Sequence, residues 1–327
     1  VGELLNRRRI ETTNRIKQIR ETLADAEKLC GLTACVYSTG SFSRGEASSH
    51  SDLDLFIVSR SSDDRPGLRR LDEILIKADL IETTRKLKIP DFSGDGEYLT
   101  HYTVAQLTGT LGKPEDDVSN TFTARLLLLL ESLPLLGNTA YQDIIEDVIT
   151  AYWRDYEDHK TDFMPAFLAN DILRMWRTFC VNYEARTQNT PPERRAARRL
   201  MNYKLKHSRL LTCYSALLYL LVVYVKNGTV SPTDAKHMIS LTPTQRLEWL
   251  SVLPHLNSTR PVIEKLITFY EQFLQLTDAS KNDLVALFGD KERSKQYLES
   301  AYTFGDLVFE ILQSIGQNNR FYRLLVV

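Results

Sequence analysis

This sequence of 327 residues is short of several features that would narrow its function at once. Its four cysteines, Cys30, Cys35, Cys180 and Cys213, are scattered, with no Cys-x-x-Cys pair and no Cys/His spacing suited to zinc. That argues against a disulfide framework and predicts reduced, mostly buried thiols in a cytoplasmic protein. An excess of one charge is missing as well. The 41 Lys and Arg residues against 42 Asp and Glu leave a formal net charge of −1, so a long nucleic acid is not the expected partner. Residues 1–20 are rich in Arg and Glu rather than apolar, and no secretory signal is expected there. Long hydrophobic runs are scarce too. Residues 126–130 are far too few to span a membrane, and residues 210–225 fall short of the ~20 that a spanning helix needs. The second run also contains Thr212, Tyr214, Ser215, Tyr219 and Tyr224, and reads as the central helix of a helical domain. A soluble protein without a membrane partner is the expectation. No fixed-period repeat or low-complexity segment is present.

What is there suffices for a sizeable core: 43% of residues are hydrophobic and 25% charged, and the length suits two domains. Residues 3–29 read as one amphipathic helix, with Ile16, Ile19, Leu23 and Ala26 at helical spacing. Residues 32–38 predict a buried strand, Gly40-Ser41 a turn, and residues 53–58 a second strand. A helix follows through Leu68, Leu71, Ile74, Leu75, Ala78 and Ile81. Residues 97–104 alternate as a third strand. Beyond about residue 118 helical signals dominate, beginning with a helix over 122–133 that Pro134 stops. Further helices are expected over 142–153, 165–186, 194–225, 245–252, 262–276, 282–288, 292–301 and 304–315. The fold class expected is α+β: a small α/β domain over 1–118, with its N-terminal helix, followed by a larger all-helical domain over 119–327.

The chemistry concentrates in Ser38-Thr39-Gly40-Ser41-Phe42-Ser43-Arg44-Gly45-Glu46 and in Ser51-Asp52-Leu53-Asp54-Leu55-Phe56. Asp52 and Asp54 are two apart on the predicted second strand, so their side chains leave one face while Leu53 and Leu55 enter the core. Two neighbouring carboxylates repel, and cations between them relieve the repulsion. Magnesium suits such a pair, because it takes oxygen ligands and accepts substrate phosphates in its shell. Gly40 permits a close backbone approach to a ligand, and Ser41 offers a hydroxyl and an amide at the start of a short helix. Together these parts suit in-line displacement at phosphorus.

Gly-Ser, a spacer with Arg-Gly and then Ser-Asp-x-Asp-Leu resembles the signature of the DNA polymerase β-like nucleotidyltransferase superfamily, over roughly residues 36–58. The resemblance implies a mixed sheet, a nucleoside triphosphate substrate and two Mg²⁺ (or Mn²⁺) ions on Asp52 and Asp54. It also implies that Gly40 and Ser41 grip the β- and γ-phosphates. Arg44 and Gly45 match the spacer and receive no separate role. Relatives add a third acid on a neighbouring strand, which assists the acceptor hydroxyl and joins the metal ligands. Glu97 is the first choice, with Asp95 and Asp91 as rivals. The acids Glu115, Asp116 and Asp117 after Pro114 read instead as helix-start preferences. Relatives also hold the triphosphate with a Lys and a Ser or Tyr of the helical domain, which singles out Lys204, Lys206 and Ser208. The bland reading of the same basic stretch, from Arg194 to Arg209, is a solvated helix face. Arg174, Arg177, Trp176, Tyr98, Tyr102, His50 and His101 are weaker candidates, with Tyr98 and Tyr102 expected in the core.

The resulting expectation is a stand-alone transferase that moves a nucleoside monophosphate to an acceptor hydroxyl and releases pyrophosphate. The acceptor is another nucleotide, as in cGAS-like cyclic-oligonucleotide synthases, or a protein, as in uridylyltransferase-like relatives. Neither the metal-dependent phosphohydrolase motif nor the ligand-sensing domains of complete uridylyltransferases are seen. The alternative is a non-catalytic binding or antitoxin-type protein that keeps the fold.

Overall fold

The computed structural model describes residues 2–61, 67–92, 96, 99–189, 191 and 194–327. Its contacts divide into two compact units, one of residues 6–154 and one of residues 1–5 with 155–327. The first contains most of α1 (Glu3–Thr22), then α2 (Ala24–Cys30), β1 (Ala34–Thr39), the single turn α3 (Gly40–Ser43), β2 (Asp54–Ser59) and α4 (Arg70–Lys86). Then come β3 (His101–Thr103), α5 (Val104–Gly109), α6 (Glu115–Val118), α7 (Thr121–Leu130), β4 (Leu133–Leu136) and α8 (Asn138–Tyr152). The strand order is β3-β2-β1-β4, with β1 antiparallel to β2 and to β4, and β2 parallel to β3. The sheet is therefore mixed.

Both faces of this sheet are covered. One face sends Val36, Leu55 and Ile57 into a core shared with Ile16, Ile19 and Leu23 of the N-terminal segment and with Ile76 and Leu80 of α4. The opposite face carries Tyr37 stacked on Phe56 at 5.4 Å, with Tyr141 of α8 at 6.3 Å. The Tyr37 hydroxyl donates to the Ala124 carbonyl of α7, 3.0 Å away. A helix such as α7, apolar nearly all round, has to be enclosed; nine of its ten residues are buried.

Several boundaries differ from the sequence expectation. The N-terminal helix breaks at Leu23 into α1 and α2. The third strand is only His101–Thr103, because Thr103 caps α5 by a reciprocal bond with Gln106. Strand β4 is not anticipated at all: Pro134 does not simply stop a helix but sits in a strand. Proline is tolerated there because β4 is a sheet edge, where a missing N–H costs no ladder bond. After it, Gly137 has φ 66°, and a Cβ there would lie 2.0 Å from the Ala34 carbonyl oxygen. Pairing of β4 with β1 carries the compact unit to Arg154, well past the division at 118/119 drawn from fading strand signals.

The second unit is helical: α9 (Ala166–Thr187), α10 (Arg195–Lys204), α11 (Leu210–Asn227), α12 (Pro232–Ser240), α13 (Pro243–Ser251), α14 (Arg260–Leu276), α15 (Lys281–Leu287), α16 (Lys291–Gly316) and α17 (Arg320–Val326). The continuous stretch Arg195–Asn227 has the length and apolarity of a membrane span, but 67% of its apolar window is buried within the protein. Its α11 portion packs against α9, α13 and α16 as the unit's central helix. Helices α12 and α13 open on capping boxes, Ser231 with Asp234 and Thr242 with Gln245, each with proline at the first helical position. The expectation omits α12 despite that signature, and it divides α16 into two where the chain runs continuously past Gly305.

Candidate active site

β1 and β2 bring the two halves of the motif together. Antiparallel pairing sets Thr39 opposite Asp54, so the turn after β1 meets the start of β2. At that point Gly40 adopts φ +70°, and a Cβ on it would lie 2.7 Å from Asp54 Oδ2. Glycine is required twice over, by the left-handed backbone and by the carboxylate lying against it. Asp52 precedes the strand rather than lying in it. The alternation nonetheless holds: Leu53 and Leu55 are 2% and 3% exposed, while Asp52 and Asp54 are half-buried. The Asp52 carboxylate and the Ser41 hydroxyl have no hydrogen-bond or ion-pair partner among the described residues.

Beneath the turn lies a charged layer that sequence reasoning missed. Glu131, at the end of α7, accepts the Gly40 N–H on Oε1 at 3.2 Å and Arg44 Nη1 on Oε2 at 2.8 Å. Arg44 Nε donates to Glu46 Oε2 at 2.8 Å, and the Ser43 hydroxyl to the Glu131 main-chain oxygen at 2.8 Å. All three charged side chains are buried. One signal was available: Glu131 follows five leucines in a row, where a carboxylate has to find a cation, and Arg44 is the lone cation of the spacer. Helix α1 braces the spacer from outside. Thr12 accepts the Ala47 N–H at 3.0 Å, Arg8 reaches the Ala47 carbonyl at 3.3 Å, and Arg15 donates to the Ser48 carbonyl while lying 4.6 Å over the Phe42 ring.

The remaining candidates separate clearly. Glu97, Asp95 and Tyr98 lie outside the described residues. Asp91 is exposed and 4.0 Å from Arg85. The three acids after Pro114 do open helix α6, and one of them, Asp116, is also fully buried: it pairs with Arg125 at 2.6 Å and accepts from Thr121 at 2.8 Å. Burial pushes its pKa up, but those hydrogen bonds outweigh burial and hold it below the usual value. Tyr102 is in the core beside Phe56, 6.2 Å away. His101 joins Ser59 through Nε2 at 2.8 Å and Glu73 through Nδ1 at 3.2 Å. That has the connectivity of a Ser-His-acid triad, but Ser59 is 1% exposed and offers no accessible nucleophile. His50 is exposed, and its backbone N–H donates to the Ser48 hydroxyl at 3.1 Å.

In the helical unit, Lys204 is exposed and its carbonyl accepts the Ser208 hydroxyl at 3.0 Å. Lys206 lies 4.6 Å over the Tyr302 ring, on a π-helical turn over Leu205–Arg209 that separates α10 from α11. Much of the basic stretch is engaged inside this unit. Arg198 donates to the Tyr183 hydroxyl, Arg199 to the Phe288 carbonyl at 2.8 Å, and Arg209 sits over Phe179. Arg174 pairs with Asp171 at 3.8 Å, and Trp176 meets Tyr214 edge-on.

Among the described residues no group of three or more His, Cys, Asp and Glu side chains is arranged to hold a metal. The Asp52 and Asp54 pair does offer the hard oxygen donors that magnesium takes, beside a turn kept clear of any Cβ. Residues 16–99 match the family model described as a nucleotidyltransferase domain. The match contains the Gly40-Ser41 turn, Asp52, Asp54 and α4. It supports nucleotidyl transfer at a coarse level and the resemblance to the polymerase β-like superfamily, without choosing a branch. Neither a curated protein nor a solved structure matches the chain.

Proposed function

We propose that this protein is a metal-dependent nucleotidyltransferase of the cytoplasm, transferring a nucleoside monophosphate from a nucleoside triphosphate to an acceptor hydroxyl. The observation that carries the reading is the apposition of Asp54 to Gly40, where the carboxylate fills the space a side chain would take. A phosphate-gripping turn and a metal-binding carboxylate are needed side by side, and this contact joins them. Two Mg²⁺ (or Mn²⁺) ions, when bound, would offset the charge on the phosphate oxygens and favour ionisation of the acceptor hydroxyl.

The chain's own contribution is binding and orientation. Asp52 and Asp54 would hold the ions, and Ser41, whose hydroxyl has no partner among the described residues, contacts a phosphate oxygen. Glu97 is proposed as the third carboxylate, accepting the proton of the attacking hydroxyl. Lys204, exposed and cationic, is the first choice among Lys204, Lys206 and Ser208 for the triphosphate tail. The acceptor is a second nucleotide or a protein. A binding protein that keeps the fold without the chemistry is the second reading.

A turnover assay with α-labelled ATP, GTP, CTP and UTP and Mg²⁺ or Mn²⁺ separates the two. Wild type and Asp52→Ala/Asp54→Ala are run together, with products read by mass spectrometry. A product made only by wild type supports transfer and identifies the acceptor class. Absence of metal-dependent nucleotide binding in wild type would rule out the enzyme.

A further inference from the structure

We infer that Glu131 is a positioning residue for nucleotide binding, fastening the Gly-Ser turn from below so that its phosphate contacts fall to Ser41 rather than to the Gly40 amide. The inference rests on the proposed transferase reading. Its basis is the use made of the carboxylate. Oε1 takes the Gly40 N–H and Oε2 takes Arg44, while the residue's own carbonyl takes the Ser43 hydroxyl. A single residue from α7 thus holds the first and last residues of α3 and the residue after it.

The consequences follow from donor counting. A backbone amide has one proton, and that of Gly40 points inward at a carboxylate, which is a stronger acceptor than a neutral oxygen. Facing outward, the turn has the Ser41 hydroxyl, which has no partner among the described residues. A buried carboxylate so close to an anion-binding turn would oppose phosphate by itself. Arg44 lies between Glu131 and Glu46 and bonds to both at 2.8 Å, so its positive charge offsets part of that field and gives each buried carboxylate a charged donor. Gly40 is further confined by Asp54 on its other side. Its peptide is held between two carboxylates, one that fixes the turn and one proposed to bind metal.

The test compares wild type, Glu131→Gln and Glu131→Asp, with Asp116→Asn as a control for loss of a buried ion pair elsewhere in the same unit. The readouts are melting temperature, Mg²⁺-dependent affinity for a non-hydrolysable α,β-methylene nucleoside triphosphate, KM and kcat. Glutamine has one acceptor oxygen for two donors, and aspartate is one methylene too short to reach both. Either variant is expected to raise the nucleotide KM and the analogue Kd about tenfold or more, with kcat changed less than about threefold. Asp116→Asn is expected to lower the melting temperature with KM and Kd unchanged. If Glu131→Gln and Glu131→Asp melt lower yet bind nucleotide as wild type does, Glu131 is merely structural and the inference falls. Should Glu131→Gln not fold, Glu131→Asp, which keeps the charge beside Arg44, decides alone. A wild type that neither binds nor turns over nucleotide removes the transferase reading and this role with it; a working wild type with indifferent variants removes only this role.

Discussion

In the unit of residues 6–154, buried charged side chains pair with one another in two clusters: Arg44 with Glu46 and Glu131, and Arg125 with Asp116. The helical unit fills its interior differently. His207 is stacked on Phe273 at 4.7 Å, flanked by Phe304 and by Tyr203, which in turn meets Phe288 and Tyr297. Its buried Arg246 donates to the Met238 carbonyl and the Ser215 hydroxyl. Buried ion pairs add little net stability over apolar packing, but they fix geometry and cost dearly when half removed. Finding one of them under the Gly-Ser turn therefore points to a need for precise backbone placement there. The interior of the helical unit rests instead on aromatic packing around His207.

The comparison is broken most severely at the carboxylates. Asp52→Ala/Asp54→Ala is expected to lower turnover at least about a thousandfold with a far smaller effect on the melting temperature, since both side chains are half-buried and outside the apolar core. The reverse pattern should appear at the second ion pair. Asp116→Ala leaves Arg125 buried without its carboxylate and is expected to cost about 3–5 kcal/mol in denaturant unfolding, with the specific activity of the folded fraction retained. A smaller effect falls on the turn itself. Gly40→Ala meets both the positive φ and Asp54 Oδ2, and should weaken nucleotide binding about a hundredfold, read by KM and direct titration.

The mildest test addresses the aromatic interior. Burial pushes the His207 pKa down from 6.5 to about 4, partly opposed by its bond to the Tyr203 carbonyl. Its Nε2 has no partner among the described residues. With the folded pKa below the unfolded one, the unfolded chain binds more protons between those values. The contribution of neutral His207 is whole above pH 6.5 and is lost as pH falls toward 4. His207→Phe keeps the stacked ring and removes the titration, so it should flatten the acid limb of a melting-versus-pH profile by about 1–2 kcal/mol. An unchanged acid limb would show that the aromatic interior does not sense pH through this residue.

Much of the geometry of the Gly-Ser and Asp-x-Asp segments was legible from residue order. Gly40-Ser41 and Asp52-Leu53-Asp54 announce their geometry locally, through a glycine that must turn and leucines that alternate with acids. Strand β4 was hidden because Leu133-Pro134-Leu135-Leu136 lacks alternation and contains a proline, and its strand state is set by pairing with β1 about a hundred residues earlier in the chain. Glu131 was hidden for the same reason. Its meaning comes from Arg44, 87 residues away, and no periodicity in either segment points to the other.

Residue order alone gives the α+β class, a sheet region before a helical one, and a glycine turn followed by an Asp-x-Asp pair. Each is a matter of local preference, of period 2 or period 3.6 and of the backbone freedom of glycine. Contacts between distant segments settle the rest: that β4 forms a sheet edge, that the compact unit reaches Arg154, and that Gly40 lies between Asp54 and Glu131. Those depend on which distant segments meet, and a buried charge reveals its purpose only when its partner is beside it.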